Sequence, residues 1–147
     1  MTWLYAATAL LSGAALAVQV GLNNGLRGRM GHPVPAAFTS FATGTMALLA
    51  FGLAVRPPWP RASSLARGPW WIWLGGAVGA AYIMAAVAFS GRLGAAGWVG
   101  AVVAGQILTS VMLDHFGLVG FDVHPVGTWR AVGVVLLLAG AAIVLRT

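Results

Sequence analysis

Cysteine, lysine and glutamate are all missing from the 147 residues, and the only acids are Asp114 and Asp122. Without Cys there is no disulfide framework, no thiolate metal site and no cysteine nucleophile. Charged residues make up 7% of the chain, against roughly 25% in a soluble domain. That is too little polar surface to cover a globule in water. The net charge of +6 comes from eight arginines scattered singly between apolar runs, so it reports a shortage of acids and no basic patch. A nucleic-acid binder gathers its basic residues on one face, and that class is excluded. Hydrophobic residues, by contrast, reach 60%. An integral membrane protein is the reading that fits, and the lipid bilayer is its first partner.

An apolar run of about 20 residues crosses the hydrocarbon core as a helix. Five such runs are legible, at about 3–22, 34–55, 70–89, 93–113 and 128–145. The polar Asn23-Asn24-Gly25 closes the first run; His32-Pro33 opens the second, and Arg56-Pro57-Pro58 stops it. Residues 56–69 carry Pro57, Pro58, Pro60 and Pro69 among Ser and Arg, and read as a linker. Ser90-Gly91-Arg92 is expected as a tight turn, and 115–127 as a second loop. The first run lacks the basic head of a signal peptide and is expected to be retained. Barrel strands alternate polar and apolar residues, whereas these runs are apolar throughout. The expected fold is all-α and polytopic, with 1–147 a single five-helix transmembrane domain. Trp70, Trp71 and Trp73 fit an aromatic belt at the interface. Gly13, Ala17 and Gly21, and likewise Gly97, Ala101 and Gly105, make small-residue stripes that let helices approach closely in lipid.

Arginine in short loops normally marks the cytoplasmic side. Five crossings put Arg27, Arg29, Arg92 and Arg146 on one side and Arg56, Arg61, Arg67 and Arg130 on the other. Four against four gives no bias. A chain without that instruction is expected to insert both ways up, and two opposite copies then pair into an antiparallel homodimer. Inverted-repeat transporters have that two-fold symmetry in the membrane plane.

Gln19-Val-Gly-Leu-Asn23-Asn24 with Pro35-Ala-Ala-Phe-Thr-Ser-Phe41, Trp71-Ile-Trp-Leu-Gly-Gly76 with Gly79-Ala-Ala-Tyr82, and Gly105-Gln-Ile-Leu-Thr-Ser110 leading to Asp114-His-Phe-Gly-Leu118 are the most distinctive stretches. Together they resemble the YdcZ-type branch of the drug/metabolite transporter superfamily, the EamA-like transporters. The resemblance covers nearly the whole chain. It implies half of a ten-helix inverted-repeat transporter in the inner membrane, and names no cargo. The small multidrug exporters, four-helix antiparallel dimers, carry a Glu in their first helix that binds substrate and proton in turn. Here Gln19 is the nearest polar counterpart, which sets that cation-export mechanism aside.

No span has a charge at its centre, so binding must rest on neutral polar groups and helix ends. Gln19 and Asn23 share a face of the first helix, and Ser40 and Thr43 a face of the second. Tyr82 lies mid-way along the third, free to close over a solute or to pack its ring. Gln106, Ser110 and Asp114 step by four along the fourth. These seven neutral residues are the candidate solute contacts. Their competing role is polar glue between helices, or, for the hydroxyls, a bond to their own backbone. Asp114 is the candidate for gating or coupling, with an ion pair to Arg56 or Arg130 as the competing reading. His32, His115 and His124 are dispersed and are not expected to form a metal site, and no cofactor is expected. No nucleophile–base set exists, so the chain is not expected to be an enzyme. A secondary transporter of a small solute, working by alternating access with its site at the subunit interface, is the leading expectation. A dual-topology ion channel, or a non-transporting subunit needing a different chain, is the alternative.

Overall fold

The computed structural model describes residues 2–60, 63 and 67–146. The expected linker residues Arg61 and Ser64 lie outside them. The described residues are helical and contain no β-strand. In chain order they form α1 (Thr2–Met30), α2 (Pro33–Val55), α3 (Leu74–Phe116), preceded by a 3-10 turn at Trp70–Trp73, and α4 (Thr128–Val144). Helices that satisfy their own backbone are one of only two ways for a chain to cross hydrocarbon. α1, α2 and the Trp70–Phe116 stretch are each long and apolar enough to do so. Their large side chains point outward: Leu10, Phe38, Leu53 and Val78 are all exposed. In lipid such a surface is solvated, not stranded.

The helix ends differ from the expected ones for readable reasons. α1 does not stop at Leu22 but continues through Asn23-Asn24-Gly25 to Met30. It ends at Gly31, whose φ of +74° lets its N–H return to the Arg27 carbonyl at 2.8 Å. His32 caps α2, its Nδ1 accepting from the Val34 N–H at 3.2 Å, and Pro33 occupies the first turn, where its missing N–H is no loss. α2 closes at Arg56, which takes a left-handed conformation just before Pro57.

The expected turn at Ser90-Gly91-Arg92 is helical instead, and the interruption falls at Gly94, with φ 71° and ψ 166°. That backbone region is open essentially to glycine alone. α3 has 43 residues in all, about 20 on either side of Gly94, and each arm alone rises about 30 Å at 1.5 Å per residue. A bilayer core is about 30 Å thick, so Gly94 divides an element about twice the crossing length near its middle.

The chain forms two compact units, Met1–Phe89 and Ser90–Thr147. In the first, Ala36 and Ala37 of α2 pack with Ile83 and Val87 of α3, and Leu26 and Tyr82 lean on that cluster. Alanines at the contact bring the helix backbones close, the packing mode that lipid favours. Arg27 then closes the end of this unit. Its Nη1 donates to the carbonyls of Val87 at 2.8 Å and Ala88 at 3.0 Å. A cation on the carbonyls of a helical turn is favourable in charge as well as in hydrogen bonding. In the second unit, Gly97 lies against Leu145 and Gly100 against Val144, so this turn of α3 seats the end of α4, while Gly105 of the same stripe faces open space. Gly13 and Gly21 of the α1 stripe also face open space.

Two substitutions test these constraints by thermal unfolding in detergent. Arg27→Met is expected to lose about 2 kcal/mol, the worth of hydrogen bonds from a charged donor, and Arg27→Lys to recover part of it. Equal stability of Arg27→Met and the native chain would remove the clasp from the account. Gly94→Ala is expected to lose about 1–3 kcal/mol through backbone strain alone, because no atom lies within 4 Å of the added Cβ. An unchanged melting point would mean the interruption is not held at Gly94.

Candidate functional site

In the first unit α1 and α2 enclose a cleft of about 410 Å³ between Gln19, Leu22, Asn23, Leu26, Ser40, Thr43 and Gly44. The helix periods explain the grouping. Gln19 and Asn23 are one turn apart on α1, with Leu22 and Leu26 on the flanking row. Ser40, Thr43 and Gly44 occupy the facing turn of α2. Four of the seven expected solute contacts are thus brought together here.

Asn23 is the most telling of them. It is 2% exposed, and its Nδ2 has no hydrogen-bond partner. Leaving such a donor buried and unpaired costs about 1–3 kcal/mol; among the described residues the Trp98 Nε1 of the second unit is in the same position. Thr43 has settled in the way hydroxyls on helices often do, donating to the carbonyls of Thr39 at 3.0 Å and Ser40 at 2.9 Å. Tyr82 does not line the cleft; it packs against the alanine-rich core.

The second unit holds a shallower groove of about 340 Å³, lined by Ile107, Ser110, Val111, Asp114, Arg130, Gly133, Val134 and Leu137. Ser110 and Asp114 therefore share one surface, as their spacing requires, while Gln106 is exposed and stands outside the lining. Asp114 has an ionic partner: Arg130 Nη1 lies 3.3 Å from its Oδ2. The same nitrogen donates to the His124 carbonyl at 3.3 Å. The connection from α3 to α4 is pinned from several directions. The His124 N–H donates to the Asp114 carbonyl at 2.7 Å, and the Val126 N–H to His115 Nδ1 at 3.3 Å. Gly117 turns the chain there with φ +61°, and a Cβ would come within 2.7 Å of Val123 Cγ2.

Sequence reasoning placed Arg27 among loop charges and missed its clasp. The signal was present: Asn23 and Arg27 are four apart, so a helix that continues past Asn23 puts both on one face. It likewise treated His115 and His124 as solvated loop residues. Among the described residues no three metal-ligating side chains gather.

The chain was compared with known proteins. The family described as "Putative inner membrane exporter, YdcZ" matches over residues 4–143, from within α1 to within α4. No curated protein and no solved structure matches.

The Asp114–Arg130 pair is partly exposed, 29% and 42% at the side chains, so water screens it. A double-mutant cycle with Asp114→Asn and Arg130→Met, read by thermal unfolding, is expected to give a coupling below about 1 kcal/mol. Arg130→Met alone is expected to lose more than Asp114→Asn, because it also removes the bond to the His124 carbonyl. The reverse order would show that the carboxylate, not the loop carbonyl, is the main partner.

Proposed function

The chain belongs to the YdcZ family and is a multi-pass inner-membrane protein of transporter type, and on that premise we propose that it is a secondary transporter moving a small solute outward across the inner membrane. The observation that carries this is the α1–α2 cleft. A buried, unpaired amide at Asn23 stands among Gln19, Ser40 and Thr43, in helices whose other faces are apolar. Polar groups are expensive in hydrocarbon unless paired, and a solute site is a use that repays leaving one unpaired.

The two arms of α3 on either side of Gly94 each cross the membrane in this reading, and α4 makes the fifth span. Two copies pair antiparallel, so that ten helices reproduce the inverted symmetry of larger transporters. Support comes from the balanced arginines and from the open Gly13 and Gly21 positions on α1, which leave a close-packing surface available to a second copy. The solute site lies at the subunit interface, with the α1–α2 cleft as its polar floor. Asp114 acts as a gate: opening the partly exposed pair with Arg130 frees the loop clamp that this arginine also holds. Alternating access follows from one half rocking against the other.

Orientation is the test. The chain has no native cysteine, so Thr147→Cys supplies a single reporter for an impermeant thiol reagent in intact cells. About half the molecules are expected to react before lysis and the rest only after it, as equal insertion in both directions requires. All-or-none labelling overturns the antiparallel homodimer.

A further inference from the structure

We propose that the α1–α2 cleft takes an uncharged or anionic solute that presents an acceptor oxygen to the Asn23 amide, and that it rejects organic cations. This rests on reading the cleft as the solute site and adds the chemical class of what enters it.

The hydrogen-bond inventory points one way. Asn23 Nδ2 is buried with two protons and no acceptor. Thr43 has already given its proton to α2 carbonyls, so it offers nothing to compete for an incoming oxygen. What the Asn23 amide is short of is an acceptor, and a carboxylate, carbonyl or amide oxygen supplies one. Leu22 and Leu26 flank the polar residues, and no atom lies within 4 Å of a Cβ built at Gly44. An apolar body therefore has a wall to rest on and room opposite.

Charge argues the same way. Residues 1–89 contain no Asp and no Glu, but carry Arg27, Arg29, Arg56, Arg61 and Arg67. A cation entering this unit finds no counter-ion, and burying an unpaired charge is prohibitive. Aromatic faces are the usual substitute for an acid in holding organic cations, and the lining has none. Four residues beyond Asn23, on the same face of α1, stands Arg27. Its guanidinium is part-buried on the Val87 and Ala88 carbonyls, and its positive field favours an anion.

Three probes sharing one fluorophenyl body separate the classes: para-fluorobenzoate, para-fluorobenzamide and para-fluorobenzyltrimethylammonium. Each is titrated onto the purified full chain in lipid nanodiscs and followed by fluorine NMR line broadening, with empty nanodiscs as the blank. The benzoate or the benzamide is expected to bind at least about tenfold tighter than the ammonium, and Asn23→Leu to weaken that binding by about tenfold, the loss of one buried hydrogen bond. Asn23→Asp keeps the shape and adds a negative charge, and is expected to reverse the order in favour of the ammonium. A purely structural role for Asn23 moves all three probes together and cannot reverse them. Should Asn23→Asp fail to fold, Gln19→Glu, at a less buried position of the same cleft, is expected to give the same reversal. The proposal is overturned if the ammonium binds the native chain best. It is equally overturned if no probe binds, as when a second copy fills the cleft, or if the order survives the added acid. Binding at equilibrium needs no flux. A protein that holds the benzoate but does not carry it across proteoliposomes keeps this site and loses the transport reading, and one that transports only the ammonium does the opposite.

Discussion

Hydrocarbon offers no hydrogen bonds, and nearly every feature of this chain follows from that one fact. Backbone amides must close on themselves, so the spans are helices. Side-chain donors must find partners or sit where something else can supply one. Thr43 answers by bonding back to its own helix, as do Thr8 and Ser12 on α1. Arg27 answers by laying its guanidinium across two carbonyls of α3. Against that background two buried donors stand unpaired among the described residues, the Asn23 amide in the first unit and the Trp98 indole Nε1 in the second. The first unit thus combines a small alanine-rich core, a cationic clasp at one end and a polar cleft alongside.

The second unit handles polarity differently. Four of its charged and imidazole groups gather where α3 gives way to α4, and they act on the connection between them. Asp114, His115, His124 and Arg130 bond to one another or to backbone within a stretch of 17 residues. An eleven-residue connection with three glycines would otherwise be loosely held; here its ends are fastened by both ionic and backbone contacts. Gly117 belongs to the same arrangement, since no side chain fits beside Val123 at that turn.

Apolar runs made the helical, membrane-spanning character legible directly, because composition over about 20 residues is what decides insertion. The candidate residues Gln19, Asn23, Ser40 and Thr43 were legible too, since helical spacing alone sets which of them share a face. Interruptions were harder. Asn23-Asn24-Gly25 looks like a terminator, yet α1 runs on because Asn23 is buried against its neighbours and Arg27 is held beyond it, and tertiary contacts outweigh the modest helix propensities of Asn and Gly. Ser90-Gly91-Arg92 has a turn's composition and is helical, while Gly94, three residues from Gly91, carries the non-helical angles. Nothing local distinguishes one glycine from the other. Arg27 was hidden for a related reason: a basic residue after an apolar run is usually solvated, and only the path of the third helix brings carbonyls to it.

The length of α1 has a consequence for depth. Its 29 residues span about 43 Å, more than the hydrocarbon is thick, so the Arg27–Arg29 end belongs at the interface, where guanidinium groups settle. At 1.5 Å per residue, Asn23 then lies only about 6 Å inward from Arg27 and Gln19 about 12 Å. The cleft is a vestibule that opens beneath one surface and, at Gln19, reaches to within a few ångström of the mid-plane of a core about 30 Å thick. In the proposed reading a solute would exchange water for side-chain amides along that depth, so its dehydration would be spread over half the crossing. Two oppositely inserted copies would hold one such vestibule under each face of the membrane.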